Sequence, residues 1–170
     1  AHARPGLLNE LKGGARIALI SDAGTPLVSD PGFKFVREAA EQGINVIAIP
    51  GASAPLAALA SSGLPTDRFT FAGFPPPKSA ARRRFLTELK PIAGTLIFFE
   101  GPSRLVASLN DMSETLGARD AVVARELTKK FEELRRGTLA ELAAHYAEAG
   151  PPRGEIVVLV GPGEGVEAPD

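Results

Sequence analysis

Cysteine and tryptophan are absent from the 170-residue sequence, which contains only 1 Met, 1 Tyr and 2 His. Without thiols the chain cannot form disulfides, thiolate nucleophiles or cysteine-based metal and iron–sulfur centres. Because His2 and His145 are its only imidazoles, we expect neither a His-rich metal site nor a Ser-His-Asp triad. The longest apolar runs, such as residues 16–20 and 156–160, are far shorter than the roughly 20 residues that span a membrane. The sequence therefore predicts a cytoplasmic protein without a membrane partner or a bound metal.

An excess of one charge is also missing, since 19 Lys and Arg residues oppose 20 Asp and Glu residues, for a net charge of -1. A near-neutral chain is not covered by a nucleic-acid-binding surface, although this balance leaves room for a local basic patch. With 44% hydrophobic residues, the chain is too apolar for intrinsic disorder and long enough to bury a core.

Short runs rich in β-branched residues alternate with helical patterns in the first part of the chain. Residues 16–20 and 45–49 have the composition of buried strands. Residues 31–42 follow a helical pattern with Asp30 as the expected N-cap, and Ser53 could cap a further helix. This order of strand, helix, strand and helix is typical of a parallel sheet and predicts an α/β fold.

Three consecutive prolines interrupt this order within residues 71–79 and fix an extended segment that cannot donate hydrogen bonds to a sheet. We interpret this segment as a linker between a first α/β subdomain, residues 1–70, and a second one, residues 80–170. The alternation then resumes. Strands are predicted at 95–99, 121–124 and 155–160, and helices at 79–90, 103–116 and 138–146, the last with a capping box of Thr138 and Glu141.

The loop of residues 21–32 is the richest in functional groups, and it follows a predicted strand, where α/β sheets hold their ligands. Gly24 would let a ligand touch the backbone, and Thr25 offers a hydroxyl. Asp22 and Asp30 offer carboxylates, although each could serve only as a cap of a turn or helix. The loop has neither a Gly-x-Gly-x-x-Gly fingerprint nor a P-loop lysine, so it does not indicate a phosphate site.

Three more loops follow predicted strand ends. Residues 49–55 are small and leave room for a flat group against the backbone, although Pro-Gly is also an ordinary turn. Glu100 could act as a base or a ligand contact, or it could simply pair with Arg104. Residues 124–130 place charged and hydroxyl side chains after another strand: Arg125, Glu126, Thr128 and Lys129.

A run of basic side chains lies around the proline-rich segment and the helix after it: Lys78, Arg82, Arg83, Arg84 and Lys90. Such runs are usually solvated helix faces. Because this one borders the expected interdomain cleft of an otherwise neutral protein, it is also a candidate for attracting phosphates.

Several motifs occur together in one order: Ser-Asp-Ala-Gly-Thr-Pro at 21–26, Pro-Gly at 50–51, Phe-Glu at 99–100 and Arg-Glu-Leu-Thr-Lys at 125–129. In this combination the chain resembles the ribosomal small-subunit RNA methyltransferase I family, within the tetrapyrrole methylase superfamily. The resemblance implies a tetrapyrrole-methylase-like fold of two α/β subdomains, with a donor cleft between them, and a homodimer. Family members begin with a strand and a Pro-Ile-Gly-Asn-Leu-type loop that this chain lacks, so we expect its first subdomain to be incomplete and its activity to depend on that segment.

The same resemblance implies S-adenosylmethionine as methyl donor, without a metal. It implies as acceptor the 2′-hydroxyl of a cytidine in small-subunit ribosomal RNA, free or in the assembled subunit. Relatives that modify tetrapyrroles usually carry Asp where this chain has Thr25, which favours the RNA branch. Carried over to this sequence, the donor contacts are Ala23, Gly24, Thr25, Val28, Ser53, Ala54, Phe99, Glu100, Ala124, Gly154 and Glu155.

For the reaction we expect a carboxylate to take the proton of the 2′-hydroxyl and a cation to steady the developing alkoxide. The candidates are Glu100 and Glu126 for the base, and Lys129 and Arg104 for the cation. The RNA phosphates would be held by a basic set: Lys78, Arg82, Arg83 and Arg84. Three alternatives stay open. One is a methyltransferase of the same superfamily that acts on a tetrapyrrole or a protein side chain, and another is an inactive RNA-binding or dimerisation fragment. The third is a generic nucleotide-binding α/β domain, which the lack of a phosphate loop disfavours.

Overall fold

The computed structural model describes residues 3–163, and the chain divides between Ser53 and Ala54 into a first and a second unit. The helices are α1 (Arg4–Lys12), α2 (Phe33–Glu41), α3 (Ala54–Ser62), α4 (Ser79–Leu89), α5 (Leu105–Leu116) and α6 (Leu139–Ala149). The strands are β1 (Phe69–Phe71), β2 (Thr95–Glu100), β3 (Asp120–Arg125), β4 (Glu133–Thr138) and β5 (Ile156–Val160). None of the helices described has the length and apolarity needed to cross a membrane.

The five strands described form one sheet in the second unit, in the order β1-β2-β5-β3-β4. β1 is parallel to β2, whereas β5 is antiparallel to both β2 and β3, and β4 is antiparallel to β3. Among the described strand pairs only β1–β2 is parallel, while residues 16–20 and 45–49, whose pattern predicts a parallel sheet, lie in the first unit. β2 and β3 nevertheless run in the same direction on either side of β5, so their carboxyl ends reach the same edge of the sheet.

Helices cover both faces of this sheet. On one face α4, α5 and α6 enclose a core that includes Phe98 and Leu109. On the other face α3 packs Leu59 against a second core that includes Ile97. Neighbouring residues of a strand point to opposite faces, which explains why Ile97 and Phe98 belong to different cores. Because β2, β3 and β5 are buried on both faces, they are nearly continuous apolar runs.

The first unit contains α1 and α2, and no strand among its described residues. The strands predicted at 16–20 and 45–49 are not formed there, and Ile20 and Ile47 have 84% and 72% of their surface exposed. A β-branched run becomes a strand only where a neighbouring strand pairs with its N–H and C=O groups. No such pairing is formed within the described residues of this unit, which is the physical reason for the difference.

Helix starts were predicted with mixed success. The capping box is confirmed, since the Thr138 hydroxyl accepts from the Glu141 amide and the Glu141 carboxylate accepts from the Thr138 amide. Asp30 is not the N-cap of α2, which begins at Phe33 behind Gly32, a residue with φ of 130°. Glycine can adopt this positive φ, so the chain enters the helix at Gly32 and not at Asp30.

The start of the proline-rich segment is hydrogen-bonded to β2 of the second unit, and the linker role of the segment stays a prediction. The Ala72 amide donates to the carbonyl of Ile97, and the Phe99 amide donates to the carbonyl of Gly73. These bonds continue the β1–β2 pairing into the segment. The helix predicted after Ser53 in the first subdomain forms as α3 and lies in the second unit, as does β1, for which the sequence gives no prediction.

Candidate functional site

The loop of residues 21–32 in the first unit is built from tight turns. Gly24 has φ of 69°, and the two non-glycine residues Leu27 and Ser29 have φ of 72° and 61°. L side chains rarely adopt this left-handed conformation, and it occurs preferentially at functional sites. Because Gly24 carries no side chain, the loop exposes bare backbone at its turn.

This loop lies against residues 50–53, the second predicted ligand loop. Thr25 Oγ1 donates a hydrogen bond of 3.1 Å to the carbonyl of Ala52, and a Cβ added to Gly24 would lie 4.0 Å from the same oxygen. The Val28 amide donates to the carbonyl of Thr25. Within the first unit the structure thus brings together the residues predicted at 23–28 and the segment that ends at Ser53, whereas Ala54 begins α3.

In the second unit, the carboxyl ends of β2 and β3 meet the start of β5 at one edge of the sheet. Glu100 and Arg125 both align with Ile156, the first residue of β5. No group of three or more His, Asp or Glu side chains within residues 3–163 is arranged to hold a metal ion. Three predicted pairs lie at this edge: Phe99 with Glu100, Ala124 with Glu126, and Gly154 with Glu155.

Glu126 and Glu155 are joined across this edge by two hydrogen bonds. The Glu126 amide donates to the carbonyl of Glu155 at 3.0 Å, and the Glu155 amide donates to Glu126 Oε1 at 2.9 Å. Lys129 Nζ lies 2.9 Å from a carboxylate oxygen of each glutamate. The Glu155 amide, followed by Lys129, lowers the pKa of Glu126, and the bond to Glu126 raises the pKa of Lys129. Glu126 is therefore a carboxylate and Lys129 an ammonium ion at neutral pH.

The backbone around this ion triad is strained. Glu126 and Thr128 have φ of 49° and 64°, and Gly154 has φ of 97°. A Cβ at Gly154 would collide with the side chain of Glu126, so any other residue there would have to displace that side chain and adopt a strained backbone. This edge therefore has two features that are typical of ligand sites. The Gly154 backbone lies close to the Glu126 side chain, and Glu126 and Thr128 have left-handed backbone conformations.

Glu100 is buried and fully engaged within the second unit. Its carboxylate accepts hydrogen bonds from the Gly101 amide at 2.8 Å and from the Ser108 hydroxyl, and it pairs with Arg104 at 2.7 Å. The sequence left two interpretations of Glu100, a base or ligand contact and an ion pair with Arg104, and the structure shows the ion pair. These contacts anchor the start of α5 to the end of β2.

Phe99 belongs to an aromatic cluster that is absent from the predicted set. Its ring centroid lies 4.9 Å from that of Phe71 and 5.4 Å from that of Phe74. Phe74 is exposed. The only sequence signal for this cluster is the pair of phenylalanines that flanks Ala72-Gly73 at the end of β1.

The predicted basic set divides into buried and exposed members. Arg82 is 2% exposed and pairs with Asp111 at 2.6 Å, while its Nη1 donates to the carbonyls of Pro76 and Pro77. Its place on the buried side of α4 corrects the expectation that it contacts RNA, since its guanidinium is used inside the protein. Lys78, Arg83 and Arg84 are exposed, although Arg83 pairs with Asp111 and Glu114.

The chain belongs to the tetrapyrrole (corrin/porphyrin) methylases, whose family model matches residues 4–143. Its α/β fold agrees with this assignment. The resemblance inferred from the loop motifs is confirmed.

Relatives of known name give a more particular likeness. A protein of Mesorhizobium japonicum named ribosomal RNA small subunit methyltransferase I is 60% identical over 163 residues, which cover 95% of this chain and 55% of that protein. Proteins of the same name from Pseudomonas aeruginosa and Mycobacterium tuberculosis are 51% and 50% identical, over 96% and 91% of this chain and 57% and 54% of theirs. The chain spans about half the length of the curated relatives that it matches.

Solved structures share the fold at lower identity. The methyltransferase CobJ matches with a TM-score of 0.65 and 22% identity, over 94% of this chain and 70% of CobJ. Uroporphyrin-III C-methyltransferase from Thermus thermophilus, solved with S-adenosyl homocysteine, matches with a TM-score of 0.61 and 19% identity, over 94% and 72% of the two chains. These likenesses establish the mixed α/β fold of tetrapyrrole methyltransferases.

Proposed function

We propose that this chain carries part or all of a methyltransferase that uses S-adenosylmethionine to methylate the 2′-hydroxyl of a cytidine in small-subunit ribosomal RNA. The observation that carries the proposal is the 60% identity, over 95% of the chain, to a protein named ribosomal RNA small subunit methyltransferase I. The two solved tetrapyrrole enzymes named above share only 22% and 19% identity, so the RNA acceptor has the stronger support. The proposal also places the chain in the cytoplasm and includes a homodimer.

When bound, S-adenosylmethionine supplies an activated methyl group on a positively charged sulfur. The first unit suits this donor because the turn at Gly24 exposes bare backbone and Thr25 offers a hydroxyl, with no phosphate cradle. The second unit suits it because the two carboxylates of Glu126 and Glu155 outnumber the one ammonium group of Lys129 that pairs with both, and the remaining negative charge would attract a cation. The proposed contacts are Ala23, Gly24, Thr25, Val28, Ser53, Ala54, Phe99, Ala124, Gly154 and Glu155.

For the acceptor hydroxyl we assign proton acceptance to Glu126 and charge stabilisation to Lys129. Both lie at the sheet edge, and Lys129 is largely exposed. Glu100 is buried and already accepts three donors, so we assign it and Arg104 to positioning. Because the pKa of Glu126 is lowered, it is a weak base, and we expect the hydroxyl proton to leave only as its oxygen is methylated.

For the RNA backbone we assign phosphate contacts to the exposed cations Lys78 and Arg84. Arg83 adds to their field, although Asp111 and Glu114 partly neutralise it. Arg82 supports the set indirectly, since it fixes the carbonyls of the proline-rich segment beside Lys78. Charge at exposed positions is what attracts a polyanion.

Donor binding is tested by titrating the 170-residue chain with S-adenosylmethionine in a calorimeter. We expect Gly24→Ala to weaken binding roughly tenfold, because a methyl group would stand where the donor touches the backbone. Gly43→Ala is the matched control, since Gly24 and Gly43 have φ of 69° and 72° and suffer the same backbone strain. Equal loss in both variants would contradict the loop assignment, and no heat with the unmodified chain would contradict donor binding by this chain.

Methyl transfer is tested with isotopically labelled donor and three acceptors: small ribosomal subunits, their naked RNA, and a porphyrinoid. We expect label in the RNA, and a loss of about tenfold or more in turnover for Glu126→Gln with donor affinity kept. Glu148→Gln, an exposed change on α6, serves as control. Label in the porphyrinoid would support the tetrapyrrole alternative, and donor heat without any transfer would support a binding-only chain.

A further inference from the structure

The loop between β3 and β4 displays an aromatic side chain that the fold does not use. Phe131 is 64% exposed, although a phenylalanine gains stability mainly by being buried. The next apolar residue, Leu134, packs against the core on the α3 face of the sheet. Phe131 is therefore a single exposed ring, flanked in sequence by Lys130 and Glu132, and it contributes little to folding.

Hydrogen bonds fix the shape of the loop that carries this ring. The Thr128 amide donates to Glu132 Oε2 at 2.6 Å, and the Glu132 amide donates to the carbonyl of Lys129 at 3.2 Å. The Lys129 amide donates to the carbonyl of Glu126 at 3.0 Å. The ring is thus presented from a closed turn that begins at Glu126, the residue to which we assign proton acceptance.

One cation lies beside the ring. Lys130 Nζ is 5.6 Å from the ring centroid, whereas Lys129 pairs with Glu126 and Glu155 and Arg135 pairs with Glu133. Glu132 accepts a hydrogen bond from the Thr128 amide, so its carboxylate is used within the loop. An exposed ring beside a cation is a combination on which unpaired nucleic-acid bases stack.

We propose that Phe131 is a stacking platform for an unpaired base of the RNA substrate. The proposal rests on the proposed function, and it adds a contact that places the RNA chain at the sheet edge beside Glu126 and Lys129. A protein partner is the less suitable occupant, because protein interfaces bury clusters of apolar residues at their centre, whereas this ring stands alone among charges.

The first test measures binding of a cytidine-containing single-stranded oligoribonucleotide to the 170-residue chain as a function of salt. We expect Phe131→Ala to weaken binding roughly tenfold at every salt concentration, because a stacked base contributes through its face. Phe131→Tyr should restore the affinity, whereas Phe131→Leu should not. Lys130→Gln should instead lower the salt slope by about 0.7, the effect of one lost phosphate contact on single strands.

The second test uses the absence of tryptophan from this chain. Phe131→Trp introduces a single fluorophore, and we expect the oligoribonucleotide to quench it. Phe33→Trp is the matched control, since Phe33 is 62% exposed and Arg37 lies 5.6 Å from its ring centroid. Quenching confined to the tryptophan at 131 supports stacking, and equal quenching at both positions overturns it.

The outcomes separate this inference from the proposed function. If the unmodified chain binds the oligoribonucleotide and Phe131→Ala binds it equally well, the stacking role is wrong and the proposed function stands. If the unmodified chain binds neither the oligoribonucleotide nor small-subunit RNA, both fail. If Phe131→Ala changes the sedimentation of the chain without changing RNA affinity, the ring is a contact between copies and stacking is overturned.

Discussion

The same kind of apolar run is buried in the second unit of this chain and exposed in the first. In the second unit, the runs of β2, β3 and β5 are buried between two layers of helices. In the first unit, the runs at 16–20 and 45–49 form no strand, and Ile20 and Ile49 leave more than four-fifths of their surface exposed.

The difference shows that an apolar run specifies a strand only together with its neighbours. β5 pairs with β2 on one side and with β3 on the other, so nearly all of its backbone groups are bonded. Within its described residues, the first unit buries only Leu8 and Ala39 among its apolar side chains. Its loop of residues 21–32 is instead held by single hydrogen bonds, such as the one from the Thr25 hydroxyl to the carbonyl of Ala52.

The test with the largest expected effect on stability compares one large apolar side chain in each unit. Phe98→Ala should lower the free energy of unfolding by about 4 kcal/mol, because it empties space in a closed core. Ile20→Ala should change it by at most about 0.5 kcal/mol, because the side chain is already in solvent. Urea denaturation followed by circular dichroism measures both, and a cost of several kcal/mol for Ile20→Ala would show that its surface is covered in solution.

A second test concerns a buried charge. Asp111→Ala should cost about 3 kcal/mol, because Arg82 would keep a buried guanidinium without its carboxylate. Glu114→Ala is the matched control, since its exposed carboxylate pairs only with Arg83, and such pairs contribute about 0.5 kcal/mol. Tyr146, the only tyrosine of the chain and buried in the second unit, reports unfolding by its fluorescence. Equal costs in the two variants would contradict a structural role for Asp111.

The same carboxylate predicts a pH dependence. Burial alone would raise the pKa of Asp111, but hydrogen bonds from Arg83, Ser79 and Arg82 outweigh it and lower the pKa below its usual value of 3.8. A lowered pKa stabilises the folded chain fully above about pH 4, and this stability is lost as the pH falls toward the lowered pKa. Unfolding free energies measured at several pH values should therefore fall less steeply below about pH 4 for Asp111→Asn than for the unmodified chain.

Most elements of the second unit could be predicted because their signals are local. A continuous apolar run marks β2, and the Thr138–Glu141 pair marks the start of α6. β4 could not be predicted in this way, since Glu133, Arg135 and Arg136 make it look like a charged loop. Its strand character comes from pairing with β3 at the edge of the sheet, where charged side chains are common.

For the candidate site too, local sequence signals do not show which residues pair over long distances in the chain. Sequence motifs indicate candidate loops, and the structure brings Glu126 and Glu155, two residues of the predicted set, together at one sheet edge. The motifs do not reveal that Arg82 is buried, because the carboxylate that holds it, Asp111, is 29 residues away in the sequence. Tertiary pairing of this kind decides which charges remain available to a substrate.

The prediction with the smallest expected change in unfolding free energy compares two helix caps. Thr138 caps α6 in the structure, whereas Asp30, the cap predicted for α2, does not. Thr138→Ala should cost about 1 kcal/mol, because α6 would lose the hydroxyl that accepts from the Glu141 amide. Asp30→Ala should cost no more than a few tenths of a kcal/mol, since α2 begins at Phe33 without a side-chain cap. Urea denaturation of both variants measures the difference. A cost of 1 kcal/mol or more for Asp30→Ala would show that α2 begins earlier in solution and that the sequence pattern at Asp30 and Pro31 is obeyed after all.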